Sequence, residues 1–470
     1  MTTTGDTRRD SALWAADRWG PTVGIVLLVT LGAFEDLGVN TAMPRMVADL
    51  HGGALYAWPF TAFLAASVAA CVLSGRICDR KGPVPTMLAG PVVFIVGLVV
   101  SGSAQSMVML LLGRTLQGLG TGAQIVAITV LIGAVYPERD RPAAYSALST
   151  AWVMPALIGP TIAGLVTEHL SWRWVFLGLV PLEIIGLAVL VPVLRRLPAH
   201  PVTGHDVPTR RWLPLAALAA AVGISALNWA AQHPSVAALL PGLVGVALLV
   251  PAVRTLLPTG TLLARRGLPT SVLARGLLSG SYFGVLVYVP LTLTTVHHYS
   301  PALAGVPLTV GALGWSGAAA WQARRREIPR STLLRAGFVV AAVGLASMTV
   351  VAPDRGPAWF AMVALGVAGV GMGLAFPSSS VLTLNGSTPA DRGFNSSALQ
   401  ISEQLGQILT IGIGGVLVTM LASSAHPTAA VVPLDLLMAG LAVLGAVVTG
   451  RRADPLPVTP AVPAPAADRE

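Results

Sequence analysis

Apolar residues in this chain fall into runs of about 20, parted by short polar turns. Each run is long enough to cross a hydrocarbon layer as a helix. The runs lie near residues 21–46, 55–75, 84–103, 107–135, 143–167 and 173–194, then 212–231 and 236–254. Six more follow, near 269–296, 301–322, 332–351, 357–382, 393–422 and 428–449. The pattern predicts an all-α polytopic membrane protein with 14 transmembrane helices, grouped as six, two and six. The hydrophilic stretch 195–211 follows the first six runs, and the basic stretch 254–266 follows the added pair. The divisions expected are a start at 1–20, a first six-helix block at 21–195, a linker with two spans at 196–267, a second block at 268–450 and a disordered tail at 451–470. That tail is rich in proline and alanine.

Charge fixes an orientation. Only 10% of the 470 residues are charged, against 54% hydrophobic, a balance foreign to soluble domains. With the N-terminus cytosolic, 24 of the 29 Lys and Arg residues fall on inner segments and three on outer ones, Arg45, Arg173 and Arg355. Arg114 and Arg275 lie inside spans. This asymmetry predicts a multi-pass protein with both ends in the cytosol, and it requires an even number of spans. The net charge of +9 is spread over short loops rather than gathered in a patch, which argues against nucleic acid as a partner. The first run is too long for a signal peptide. Cys71 and Cys78 stand two helical turns apart, about 10 Å, too far for a disulfide, and read as packing residues.

Between the second and third runs lies Gly75-Arg76-Ile77-Cys78-Asp79-Arg80-Lys81-Gly82-Pro83, with five ionisable side chains in nine positions. It reads as a charged hinge at the membrane surface. Gly75 and Gly82 allow the bend, Asp79 is placed to meet a helix N-terminus, and Arg80 and Lys81 hold the turn inside. Gly75, Asp79, Arg80 and Gly82 match the loop G-x-x-x-D-R-x-G of the major facilitator superfamily, which this segment resembles. Pro83 stands where that family usually has another base.

Three further segments extend the resemblance. In span 4, Arg114, Gln117, Gly118 and Gly120 match R-x-x-Q-G-x-G. An arginine at that depth costs at least about 2.5–3.5 kcal/mol unless paired or solvated. Arg114, Gly118 and Gly122 share one face, so a charge and a smooth packing groove coincide. In span 5, Gly159-Pro160-Thr161-Ile162-Ala163-Gly164 resembles the antiporter motif G-P-x-x-G-G, with alanine for one glycine and Pro155 for an upstream one. Gly159, Pro160 and Gly164 are read as a kinked, close-packed surface associated with export. Span 1 carries Glu35-Asp36-Leu37-Gly38-Val39-Asn40-Thr41-Ala42-Met43-Pro44, similar to the D-x-T-x-x-N-x-A-L-P of fourteen-span drug:proton antiporters. Glu35 replaces the aspartate and Leu37 the threonine.

Glu35 falls near the middle of span 1, where a carboxyl group is desolvated and suited to proton exchange. Asp36 is turned about 100° away on the helix, so the two acids cannot both face one cavity; Glu35 is the first choice for proton and cation. Glu403 is also mid-span, in a helix polar along much of its length. Glu183 is a candidate partner for an intramembrane arginine, Asp435 is expected to snorkel outward, and Arg275 to be structural. Glu35, Asp36, Arg114 and Glu403 are thus the candidate proton-coupling and substrate residues. All eight histidines lie in loops or at span ends, leaving no embedded metal cluster. Neither a Walker loop nor the Gly-x-Ser-x-Gly and His-Glu-x-x-His catalytic motifs occur. The glycine-rich 366–373 is embedded in an apolar span and reads as helix packing.

The resemblance implies two six-helix bundles around a central cavity with spans 7 and 8 as an inserted hairpin. It implies a transporter rather than an enzyme, acting as a monomer without cofactor and driven by the proton gradient. Its expected activity is proton-coupled efflux of hydrophobic or cationic small molecules across a bacterial cytoplasmic membrane. Two alternatives stand beside it: a dedicated exporter of one natural product or lipid-like metabolite, and a membrane scaffold or receptor that transports nothing. The second charged motif, at 317–326, is degenerate, with Trp321 at the aspartate position.

Overall fold

A computed structural model describes residues 19–137, 140–196, 212–233, 235–325, 327–353, 356–388, 391–421 and 429–450. Residues 1–18 of the expected N-terminal segment, 197–211 of the expected linker and the tail at 451–470 lie outside the described residues. So do Arg139, Arg326 and Arg355 of the charge asymmetry.

The described residues form helices and no strands. The first half contains α1 (Trp19–Asp49), α2 (Trp58–Lys81), α3 (Val84–Gly102), α4 (Met107–Val135), α5 (Arg141–Thr150), α6 (Val153–His169), α7 (Arg173–Leu177) and α8 (Val180–Arg196). Next come α9 (Leu213–Gln232) and α10 (Val236–Leu256). The second half contains α11 (Leu268–Leu286), α12 (Val289–Thr295), α13 (Pro301–Arg324), α14 (Arg330–Ser347), α15 (Phe360–Asn385), α16 (Arg392–Leu421) and α17 (Val431–Gly450).

Thirteen helical segments among the described residues are long and apolar enough to cross a membrane. The run at 143–167 is the exception: it is split into α5 and α6 at Ala151–Trp152. Pro155 accounts for the split, because its ring excludes the carbonyl of residue 151 and it donates no hydrogen bond there. The same rule places two other interruptions. Pro181 follows the end of α7 at Leu177 by four residues, and Pro290 follows the end of α11 at Leu286 by four.

Small residues bring the helices together. α4 is clasped between α2 and α3. A Cβ at Gly122 would sit 2.9 Å from the Ser67 Cα of α2, and one at Gly120 would sit 2.6 Å from the Phe94 nitrogen of α3. Gly118 is closed off in the same way by the Phe63 carbonyl. The expected groove on span 4 is therefore present, with a second glycine face behind it. In the other half, α14 and α15 meet at Gly337, Gly344 and Gly371.

α9 and α10 pair with each other and lie against α2 and α16, one helix from each half. Ala217, Ala220 and Ile224 of α9 share a buried apolar cluster with Val68 of α2 and with Ile401 and Ile408 of α16. Trp58 Nε1 donates to Gln232 Oε1 at 2.8 Å. The outer face of α10 exposes Val236, Leu239, Leu240 and Leu243, as a helix bordered by lipid does.

The two halves also touch directly. α6 packs on α13, where Gly164 leaves room for Pro301 and Ala302, and Gly305 leaves room for Pro160. Tyr56 Oη donates across to the Val287 carbonyl at 2.9 Å, while Tyr288 Oη, within the second half, donates to the Ile411 carbonyl at 2.7 Å. These contacts gather at the end of the molecule that holds the C-terminus of α1 and the N-termini of α2 and α13.

The charged segment 75–83 corrects its expectation. It is not a nine-residue hinge, because α2 stays helical through Lys81 and only Gly82–Pro83 turns. Gly82 caps the helix with φ 75° and ψ 178°, and its N–H donates to the Cys78 carbonyl at 2.9 Å. Only glycine adopts that backbone readily. Gly75 is different: a Cβ there would meet nothing within 4 Å. Arg80 and Lys81 occupy the last turn of α2, where cations complement the helix dipole. Asp79 is exposed rather than seated at a helix N-terminus. Both cysteines are free, with Cys78 buried.

Candidate functional site

A network inside the first half is centred on Arg114. The side chain is 1% exposed and sits between α1, α2 and α4. One Nη1 proton goes to Glu35 Oε1, and Nη1 also donates to Gln117 Oε1 at 3.1 Å. Nε donates to the Pro59 carbonyl at 3.3 Å, and the guanidinium lies 4.3 Å from the centre of the Phe63 ring. Ser101 Oγ of α3 also donates to Gln117 Oε1, at 3.4 Å. The span-4 signature is thereby explained residue by residue. Arg114 supplies charge, Gln117 relays it to α3, and Gly118 and Gly120 let the neighbouring helices come close. Glu35 is wholly buried, and its Oε2 has no hydrogen-bond partner.

Asp36 has the opposite setting. It is only partly buried. It lies within electrostatic reach of Arg114 on one side and of Glu403, in the other half, on the other. Gly32, one turn earlier on the same face, opens onto space: a Cβ there would meet nothing within 4 Å. The expectation that Glu35 is the acid open to the space between the halves is therefore corrected. The 100° between the two side chains turns Glu35 into the helix packing and Asp36 out of it. Asn40 is buried one turn further on, donating to the Asp36 carbonyl at 3.1 Å.

The second half carries a matching ion pair. Arg275 of α11 places Nη1 3.7 Å from Glu403 Oε2 of α16, with side chains 2% and 15% exposed. Its Nη2 donates to Ser380 Oγ, and its guanidinium lies 3.4 Å from the centre of the Phe376 ring. Phe376 touches Trp315 at 5.1 Å between centroids, and Trp315 in turn meets Tyr282 and Phe283 edge-on. A charged pair thus continues into an aromatic wall drawn from α11, α13 and α15. Arg275, expected to be structural, holds one of the candidate acids.

The remaining acids divide. Glu183 of α8 is fully buried, and neither of its carboxyl oxygens has a hydrogen-bond partner. It lies within electrostatic reach of Glu35, and among the described residues no arginine pairs with it, contrary to the expected pairing. Asp435 does not snorkel: it is 2% exposed within α17. Of the span-5 residues, Gly164 and Pro160 join the halves, whereas Gly159 meets Phe34 only at an ordinary 3.6 Å.

Some polar contacts had no legible signal. Gln322 is buried at the junction of α13, α14 and α15. It receives Arg330 Nη1 at 3.0 Å and Ser378 Oγ at 3.0 Å, and donates to the Gly373 carbonyl at 2.5 Å. It stands beside Trp321 in the degenerate second motif, so a neutral amide joins the helices there in place of an acid. The Tyr56–Tyr288 contact, with ring centroids 5.5 Å apart, pairs residues more than two hundred positions apart in the chain.

Comparison with known proteins places this architecture. The family model described as Major Facilitator Superfamily matches residues 25–411. The chain belongs to that superfamily of membrane transporters and is a multi-pass integral membrane protein. A Mycobacterium tuberculosis protein named as a probable multidrug-efflux transporter is 29% identical over 411 residues, 83% of this chain and 85% of that protein. An uncharacterised transporter of Schizosaccharomyces pombe is 31% identical over 175 residues, 37% of this chain. That match spans only 30% of the yeast protein's length. Among solved structures, an auto-inhibited POT family peptide transporter superposes with a TM-score of 0.68 at 16% identity, covering 92% of this chain and 96% of that one. At that identity the likeness is one of fold.

Proposed function

We propose that this chain exports hydrophobic or cationic small molecules in exchange for protons. It does so as a fourteen-span monomer in a bacterial cytoplasmic membrane, with both termini in the cytosol. In this reading α5 and α6 together form the fifth span. Residues 21–195 and 268–450 form the two moving bundles, and α9–α10 is the inserted hairpin. The observation that carries it is the placement of Asp36 and Glu403 on facing halves, within electrostatic reach of each other. Two carboxylates across such a seam repel when both are ionised. A cation or a proton between them relieves that repulsion.

Mutual exclusion of proton and cation, set by the charge of these acids, is what exchange requires. Glu35 and Arg114 lie directly behind Asp36, so a change in the charge at Asp36 is felt by the buried pair. The aromatic wall beside Arg275 offers an apolar surface with π faces, suited to flat, oily cations. The contacts between the halves at the Tyr56–Tyr288 end correspond to a transporter closed toward the outside. The exposed Asp79 then belongs to an inner latch that is not engaged in this state. The name of the M. tuberculosis relative is consistent with drug export.

The test is ethidium efflux from cells producing the protein. Efflux should collapse on adding a protonophore while cellular ATP stays high, since each charge moved across the membrane is worth about 2.3 kcal/mol per 100 mV. Efflux that persists after both the proton gradient and the membrane potential are dissipated would overturn the proposal.

A further inference from the structure

Glu183 is the group that the arrangement above leaves unexplained. It lies a turn into α8, with no exposed atom and no hydrogen bond to either carboxyl oxygen. The helices packed on α8 are α1, α3 and α7. α1 presents Glu35 to it. The other charged residues of α1 are Asp36, which faces the seam, and Arg45 and Asp49, which pair with each other at 3.1 Å at the far end. α3 has no titratable residue. The one such group on α7, Arg173, is spent on the Ala104 carbonyl at 3.0 Å and on the Trp172 ring. Arg114, from α4, reaches Glu35 Oε1 and not Glu183.

Two buried acids therefore lie within electrostatic reach of each other, and the one arginine beside them pairs with Glu35. Glycines set the two helices tightly: Gly186 leaves room for Leu28 of α1, and Gly24 for Leu190 of α8. An ionised carboxylate without a partner is too costly to persist there. With Arg114 balancing one negative charge, the neutral state of the trio holds one proton on two carboxyls.

Resting on the antiport reading, we propose that Glu183 is the resting place of the exchanged proton, held apart from the substrate. When a cation settles at Asp36 and Glu403, its charge favours loss of that proton. Glu183 is then a transient carboxylate, tolerated only while the charge of the bound cation offsets it, and the proton leaves to solvent as the halves move. Return of the proton restores the neutral trio and releases the cation. Proton and substrate are thus exclusive through the field between them, without contact.

Infrared spectroscopy of the purified protein in lipid nanodiscs tests this without any substrate. The wild type should show a protonated-carboxyl stretching band that disappears on raising the pH. Glu183→Gln should lack it, and Glu183→Asp should retain it at a shifted position. A band unchanged in Glu183→Gln overturns the proposal. The second measurement is tetraphenylphosphonium binding across pH. One linked proton changes wild-type affinity by up to about tenfold per pH unit. Glu183→Gln, which fixes the neutral state of the trio, should flatten that profile at the low-pH affinity of the wild type, within about twofold. A Glu183→Gln protein that keeps the wild-type slope, or that loses affinity equally at every pH, sinks the assignment. Wild-type efflux indifferent to protonophore would instead sink the antiport reading, leaving the band test of Glu183 in force.

Discussion

Arg114 and Glu35 illustrate what a membrane interior demands of single side chains. Removing the arginine leaves a carboxylate buried without compensation, a loss on the order of 3–5 kcal/mol. Arg114→Ala should therefore unfold at lower temperature and accumulate poorly. Adding Glu35→Gln to it should recover most of the thermal stability, because the neutral amide needs no counter-charge. Melting curves of the single and double variants decide the matter, and a double variant no better than the single would show that Arg114 serves packing alone. Asp36 makes a different prediction. Asp36→Asn should keep the wild-type melting temperature and weaken tetraphenylphosphonium binding by roughly tenfold, about 1.4 kcal/mol. Equal binding by the variant would remove Asp36 from the cation site. The sequence showed that Glu35 and Asp36 diverge on their helix, but not which of them turns inward. That choice depends on Arg114, which lies 79 positions away. Helical periodicity carries no information about such a partner. The same limit hid Gln322, whose amide resembles any other polar residue near a span end until Arg330 and Ser378 converge on it.

At the scale of elements, apolar runs alone placed nearly every helix, because a bilayer-crossing segment must satisfy its backbone internally over a fixed length. The interruptions were less apparent, although each obeys a local rule. Pro155, Pro181 and Pro290 break helices four residues upstream, whereas Pro160 and Pro307 stay within continuous ones. The glycines of the charged segment also separate by role. Gly75→Ala should leave stability unchanged or raise it by about 0.5–1 kcal/mol, since a helix interior favours alanine and nothing blocks the methyl group. Gly82→Ala should cost on the order of 1–3 kcal/mol, because its backbone lies where only glycine is comfortable. Thermal unfolding of the two variants checks this pair. A larger loss at Gly75 than at Gly82 would mean that α2 does not run through to Lys81.

For the whole molecule, the seam between the halves is the part that must move. Gly164 and Ala302 meet where α6 crosses the start of α13. Gly164→Val would press a side chain onto that backbone, where a Cβ would lie 2.5 Å from the Ala302 Cα, and should slow ethidium efflux while the protein still accumulates in the membrane. Full efflux by the variant would mean that this contact does not form during transport. The sequence predicted a six-two-six grouping, and the described residues hold 13 helical segments long and apolar enough to cross a membrane. Where the middle pair sits was not visible, since a lipid-facing helix and a clamp read alike as apolar runs.

That position has a consequence for how an oily molecule reaches the interior. The two halves border each other along two seams, one between α2 and α16 and one between α6 and α13. The α9–α10 pair lies over the first, with Ile224 and Trp58 among the side chains that close it. In the export proposed above, a compound dissolved among the acyl chains of the inner leaflet therefore finds that flank walled off. Sideways entry from the bilayer is left to the flank of α6 and α13, which makes an otherwise two-sided machine one-sided toward the lipid that feeds it.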